Sequence, residues 1–289
     1  MIPRPIAHAF DWLMTKNGAG LAGIAVFAAA LLVALGYSTG PDPAAQTGAP
    51  AAPAAEVVKS AEAAGLTPAQ VEAVRSIVKD YLINNPEIMI EVSRELEMRQ
   101  NVKQVDEQKR LIVQHKAQIF SAPTDFVLGN PKGDITVVEF FDYNCGWCKR
   151  AVDDVLKLAE ADPRVRIVMK EFPIFGEHST FASRAAMASI KQGKYWDFHL
   201  AMMREKQVTK DNVMTIAARV GLDVAKLQAD MADPSFEAAL KETHDIAQAL
   251  AIEGTPGFIV DAKVNVGYVP VDGLQRLVGE ARKTGCQVC

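Results

Sequence analysis

The sequence predicts an α/β domain preceded by an α-helical stalk and one transmembrane helix. Three observations carry that prediction. A β-type apolar run, Ile135 to Tyr143, leads almost directly into a helical stretch that opens with Cys-x-x-Cys. A Glu/Arg/Gln/Lys-rich segment with helix-start signals lies before it. Nineteen uncharged residues, Ala19 to Tyr37, stand near the N-terminus, about the length a helix needs to cross a bilayer's hydrocarbon core.

The expected organisation runs in chain order. Residues 1–18 form a cytoplasmic N-terminus and 19–37 a signal anchor. Arg4 and Lys16 precede the apolar run, and the next basic residue is Lys59. The positive-inside rule therefore puts the N-terminus in the cytoplasm and the bulk of the chain outside. A cleavable signal peptide is the competing reading, although the run exceeds an ordinary h-region and has eighteen residues before it. Residues 38–55 are Pro/Ala-rich, a composition that gives an extended spacer.

Residues 56–123 are the stalk. Thr67 as N-cap, Pro68 at the first helical position and Gln70 three residues on form a capping-box signature. That helix should run to about Ile83, and a second should open at Pro86 with Asn85 as its cap and continue towards His115 or Phe120. Ile88, Val92, Leu96, Val102, Val105 and Ile112 make a narrow apolar stripe set among charges. Such a stripe is too small for a private core. It fits either a solvated helix lying on the next domain or self-association of copies, with spacing too irregular for heptads.

Residues 124–285 carry the α/β pattern. Ile135–Tyr143 reads as a strand buried on both faces. Val165–Phe175 reads as the next strand, and about 176–250 as helical. "GFIVD" and "VNVGYV" make a closing hairpin, and Val271–Arg282 a last helix. Cys145 falls at the strand-to-helix junction, where unpaired N–H groups and the positive end of the helix dipole favour thiolate over thiol. Cys148, one turn on, is near enough to resolve a mixed disulfide. Half of a zinc site or an inert disulfide is the bland reading of such a pair, and a second pair, Cys286 and Cys289, exists in the tail 286–289. A buried strand before the first pair and a helix after it argue for redox chemistry. The tail pair, expected to be accessible, is open between an inert local disulfide, a second redox relay and metal capture.

The residues "VVEFFDYNCGWC", with "GTPGFIV" at Gly254–Val260 more than a hundred residues later, resemble the thioredoxin superfamily and, within it, the DsbA-like thiol–disulfide oxidoreductases. The resemblance implies a thioredoxin fold with a helical insertion. It also implies a cis Pro256 facing the cysteines, with Thr255 offering backbone groups to a substrate chain. Glu139, six residues before Cys145, matches an acid that helps move the buried cysteine's proton. Gly146 and Trp147 stand between the cysteines in place of the Pro-His of DsbA oxidants, so the disulfide should be less oxidising, and Gly-aromatic with Thr255 is closer to disulfide isomerases. Trp147 would form an apolar lip for unfolded substrates, or merely cap the helix.

The expected function is periplasmic thiol–disulfide exchange on exported proteins, leaning to isomerase or reductase. A dithiol oxidase is the alternative. A third reading is a protein that captures copper or zinc with both cysteine pairs. No cofactor is required. The expected partners are unfolded or misoxidised exported proteins, a membrane redox partner and further copies of the chain, at the bacterial inner membrane. A net charge of −4 without a basic face argues against nucleic acid. The five histidines show no metal-type pairing, and His178 receives no role.

Overall fold

The structure, a computed structural model, describes residues 63–288. The expected anchor at 19–37, the spacer at 38–55 and Cys289 lie outside the described residues. No helix among the described residues is long and apolar enough to cross a membrane.

The first described helix, α1 (Pro68–Asn84), belongs to one unit, and everything from Asn85 onward to another. The α1 capping box forms as the sequence predicts: Thr67 N–H donates to Gln70 Oε1 at 2.8 Å, and Gln70 N–H donates to Thr67 Oγ1 at 3.4 Å. No α1 residue is buried, and Val74, Ile77, Val78, Tyr81 and Ile83 are exposed.

The second unit opens with α2 (Glu87–Gln114) and α3 (Lys116–Phe120). Asn85 O accepts from Ile88 N–H at 3.2 Å at the start of α2. The N-cap position falls on Pro86, already in helical conformation, and no side chain caps the helix. The α2 stripe is solvated for most of its length, with Val92, Leu96, Val102 and Val105 exposed. Ile112, by contrast, is buried, and Ile119 and Phe120 of α3 join it in a core cluster.

Five strands form one sheet in the order β1-β3-β2-β4-β5. They are β1 (Phe126–Gly129), β2 (Ile135–Phe141), β3 (Val165–Glu171), β4 (Gly257–Val260) and β5 (Lys263–Val266). β2 and β3 are parallel, joined by α4 (Gly146–Ala161), and the other pairings are antiparallel. Every residue of β2 is buried, as its unbroken β-branched and aromatic run predicts for a central strand. The strand ends at Phe141 instead of Tyr143. Asp142 turns the chain there, its Oδ1 accepting from Asn144 N–H and its carbonyl from Cys145 N–H. β3 likewise stops before Pro173, which has no N–H to extend the ladder.

β1 was not anticipated. Four residues long and only half-buried, it pairs with β3 from Phe126↔Met169 to Gly129↔Arg166. In the turn from β1 to β2 the chain passes so close to β3 that a Cβ on Gly133 would lie 2.5 Å from Arg164 O, which only glycine avoids.

Side-chain alternation along β2 divides the core. Val137 and Phe141 face a large cluster with α4, the insertion and α10 (Val271–Thr284), while Val138 and Phe140 face a second cluster with Ile112, Ile119, Phe120 and Val288. α4 turns Cys148, Ala151, Val152, Val155 and Leu158 inward, an i, i+3, i+4, i+7 face. Truncating one of its larger members, Leu158→Ala, costs roughly 2–5 kcal/mol. The insertion is α5 (Glu177–Ser189), α6 (Tyr195–Met203), α7 (Lys210–Arg219), α8 (Val224–Asp230) and α9 (Pro234–Ala249), with a 3₁₀ turn at Ile190–Gln192. A buried ion pair, Lys170 Nζ to Asp125 Oδ2 at 2.6 Å, fastens β3 to the segment before β1. Burial lifts Asp125 to about 6, against the pull of Lys170.

Candidate active site

The site is built where β2 runs out. Asp142, fully buried, spends its carboxylate on four donors: Asn144 N–H at 2.7 Å and Ser179 Oγ–H at 2.7 Å to Oδ1, Ile174 N–H at 2.7 Å and Phe175 N–H at 3.0 Å to Oδ2. Asn144 adds a reciprocal pair with Val208, accepting its N–H at 2.8 Å and donating to its carbonyl at 3.0 Å. Three loops distant in sequence are thereby fixed around the residue that precedes Cys145. Tyr143 points into the insertion, where its hydroxyl and that of Tyr195 donate to Glu171 Oε1 at 3.0 and 2.8 Å. His199 Nδ1 lies 3.1 Å from the Tyr143 oxygen. Burial raises Glu171 to about 8 and lowers His199 to about 3, so both are neutral at pH 7.

Cys145 is the N-cap of α4, its sulfur accepting from Cys148 N–H at 3.4 Å. Across the site, the Thr255–Pro256 peptide is cis. Thr255 O lies 3.1 Å from Cys145 Sγ, where it accepts from the thiol. Both cysteines are free and buried. Their acidities diverge sharply. The Cys148 side chain first, then the Thr255 side chain and the N–H groups of Cys148 and Trp147, bring Cys145 down to about 5 against the opposing effect of burial. Burial first, then the Cys145 side chain and the Glu139 charge, push Cys148 far up. One thiolate and one thiol coexist at neutral pH.

Glu139 lies on the β2 face that carries the cysteine cluster and is fully buried. Neither carboxyl oxygen has a hydrogen-bond partner. Burial, then the charge on Cys145, raises it to about 8. Gly146 begins α4, and Trp147, 58% exposed, stands at the rim. The Thr255 hydroxyl is buried with no other partner, which leaves it for the Cys145 sulfur.

Cys145, Cys148, Glu139, Gly146, Trp147, Thr255 and Pro256 therefore belong to one locality, and Cys286 does not. Expected to be accessible, Cys286 is half-buried and disulfide-bonded. The segment is held because Asp261, in the β4–β5 turn, accepts from Gln287 N–H at 2.7 Å and Val288 N–H at 3.2 Å, and Val288 is buried. Among the described residues no group of three or more His, Cys, Asp or Glu is placed to hold a metal ion. The sequence reading missed Asp142, Asn144 and Lys149. The last is a half-buried amine that donates to Glu205 O at 2.5 Å, its pKa pulled down by burial.

Residues 136–279 match the family described as DSBA-like thioredoxin domain, and residues 70–101 match that described as Copper resistance protein ScsC N-terminal domain. A thioredoxin-like oxidoreductase from Silicibacter pomeroyi is 47% identical with a TM-score of 0.57, the match covering 58% of this chain and 97% of that one. BcfH of Salmonella enterica Typhimurium is 29% identical with a TM-score of 0.65, over 79% of this chain and 99% of that one. Disulfide bond formation protein D of Bacillus subtilis is 26% identical over 172 residues, 54% of this chain and 77% of that one. The chain spans only 24% of the length of another relative, Na(+)/H(+) antiporter NhaA 3 of Salinispora tropica, to which it is 28% identical over 160 residues.

Proposed function

Given that the chain belongs to the DsbA-like thioredoxin family and is a protein thiol–disulfide oxidoreductase, we propose that it rearranges or reduces disulfides of exported proteins in the bacterial periplasm. The observation that carries thiol–disulfide exchange, in either direction, is the split between the two thiols, with Cys145 near 5 and Cys148 far above its ordinary value. The leaning to rearrangement or reduction rests on Gly146, Trp147 and Thr255 around the cysteines. The Cys145 thiolate attacks a substrate disulfide, forming a Cys145–substrate bond while the other substrate sulfur leaves as a thiolate. If that thiolate or another in the substrate displaces Cys145, the bond is isomerised with no net electron transfer. If Cys148 attacks instead, its proton passing to Glu139, a Cys145–Cys148 disulfide forms and the substrate leaves reduced by two electrons. Thr255 presents its backbone to the substrate chain, Pro256 borders it, and Gly146 and Trp147 form the rim.

The remaining parts of the proposal concern placement. An anchor at 19–37 tethers the chain to the inner membrane, and copies associate through the stalk. The exposed apolar residues of α1 and α2, which find no core of their own, support that association. A membrane partner restores the dithiol. One observation favours the opposite direction of flow: a thiol held near 5 stabilises the reduced form, which makes the disulfide a better oxidant.

The test is refolding of a substrate with scrambled disulfides by the reduced full chain, beside Cys145→Ser. Recovery of native substrate that needs Cys145 supports isomerisation. Oxidation of a reduced substrate without unscrambling replaces it with the oxidase. Activity retained in Cys145→Ser refutes both.

A further inference from the structure

One flank of the site carries charge that the exchange chemistry does not use. α4 sets Trp147, Arg150 and Asp154 on one face, at i, i+3 and i+7. Tyr268, just beyond β5, comes alongside, its ring centroid 5.5 Å from that of Trp147. The Arg150 guanidinium lies over both rings, 5.8 Å from the Trp147 centroid and 5.4 Å from the Tyr268 centroid. The Tyr268 hydroxyl donates to Asp154 Oδ2 at 2.5 Å, so the acid on Arg150's own face is already engaged. Gly267 N–H donates to Pro256 O at 2.8 Å, which ties this segment to the loop across from Cys145.

Among the described residues Arg150 forms no ion pair and is exposed. The guanidinium carbon lies over two aromatic rings, and its N–H groups meet no acceptor among the described residues. A guanidinium so held loses little freedom on meeting a carboxylate, whose two oxygens match its fork. A lysine brought to the same place meets like charge.

We propose that the Trp147–Arg150–Tyr268 shelf is a specificity-determining surface of the exchange reaction, taking an acidic side chain beside the reacting cysteine of the substrate. It rests on the reading that Cys145 acts on cysteines of other proteins. Trp147 supplies the wall, Arg150 the charge, and Tyr268, oriented by Asp154, keeps the guanidinium in place.

The test uses the full chain carrying Cys148→Ser, so that the mixed disulfide persists. Short peptides, alike except for Asp, Asn or Lys next to a single cysteine, are each supplied as a disulfide with nitrothiobenzoate. The Cys145 thiolate attacks the peptide sulfur, the Cys145–peptide bond forms, and nitrothiobenzoate leaves as a coloured thiolate. The adduct should form roughly threefold faster with Asp than with Asn, the scale of an exposed ion pair, and most slowly with Lys. Arg150→Glu should invert that order, whereas Lys226→Glu, on the insertion and of equal net charge, should leave it. Equal rates for the three peptides overturn the proposal, as does an order unmoved by Arg150→Glu or moved equally by Lys226→Glu. Absence of adduct with any peptide while Cys145 still alkylates overturns the exchange reading itself.

Discussion

The charge on Cys145 makes a charge on Glu139 more costly. The carboxyl is buried without a hydrogen-bond partner and raised to about 8, first by burial and then by the Cys145 charge. A thiolate above adds to what burial already does to keep a proton below, and loss of that thiolate into a mixed disulfide eases the ionisation of Glu139. The carboxylate becomes available at the stage when Cys148 must be deprotonated.

Glu139→Gln should accordingly leave substrate attack by Cys145 nearly intact and prolong the mixed disulfide roughly a hundredfold, the lower end of what a lost general base costs. Rapid acid quenching of the adduct measures its lifetime. An unchanged lifetime would remove Glu139 from the proton path.

Cys145 should alkylate with a midpoint near pH 5, and Cys148 should remain unreactive at neutral pH. Thr255→Val removes one of the groups holding the thiolate and should raise that midpoint by about one pH unit, the scale of a hydrogen bond to a charged group. Iodoacetamide rates across pH, read by mass, check both.

The pH dependence of stability has opposing contributions. Cys145 is depressed from an ordinary 9.0 to about 5, so the reduced form gains stability as pH rises between those values and loses it as pH falls through 5. Glu139 and Glu171 are raised from 4.5 to about 8, so their contribution is present below 4.5 and is lost as pH climbs towards 8. Urea titrations of Glu171→Gln should therefore fall less than wild type between pH 5 and 8, and Cys145→Ser should fall more than the reduced wild type.

Asp142→Ala leaves four donors, in its own turn, in the loop after β3 and in α5, without their acceptor and should cost about 3–5 kcal/mol. Asp142→Asn, which retains one accepting oxygen, should cost less. Urea denaturation gives both values. A loss below 1 kcal/mol for the alanine variant would mean that water replaces the carboxylate.

What could be read in advance was local. The run before Cys145, the cysteine spacing and the Thr67–Gln70 box each lie within a few residues, where period and capping chemistry act. Asp142 was passed over because its partners Ile174, Phe175 and Ser179 lie more than thirty residues away. β1 was passed over because four residues between Asp125 and Asn130 carry no period, and β3 recruits them through register. The shelf of Arg150 and Tyr268 joins α4 to the end of β5, a meeting that neither segment announces.

The division of β2 into two faces has a mechanical consequence. Ile112, Ile119 and Phe120 belong to the cluster of Val138 and Phe140, on the face turned away from Cys145 and Cys148. Tension pulled along α2 enters the fold on that back wall. The strand that bears the load on one side holds Glu139 on the other, so a tug on the arm is spread through the sheet before it reaches the sulfurs.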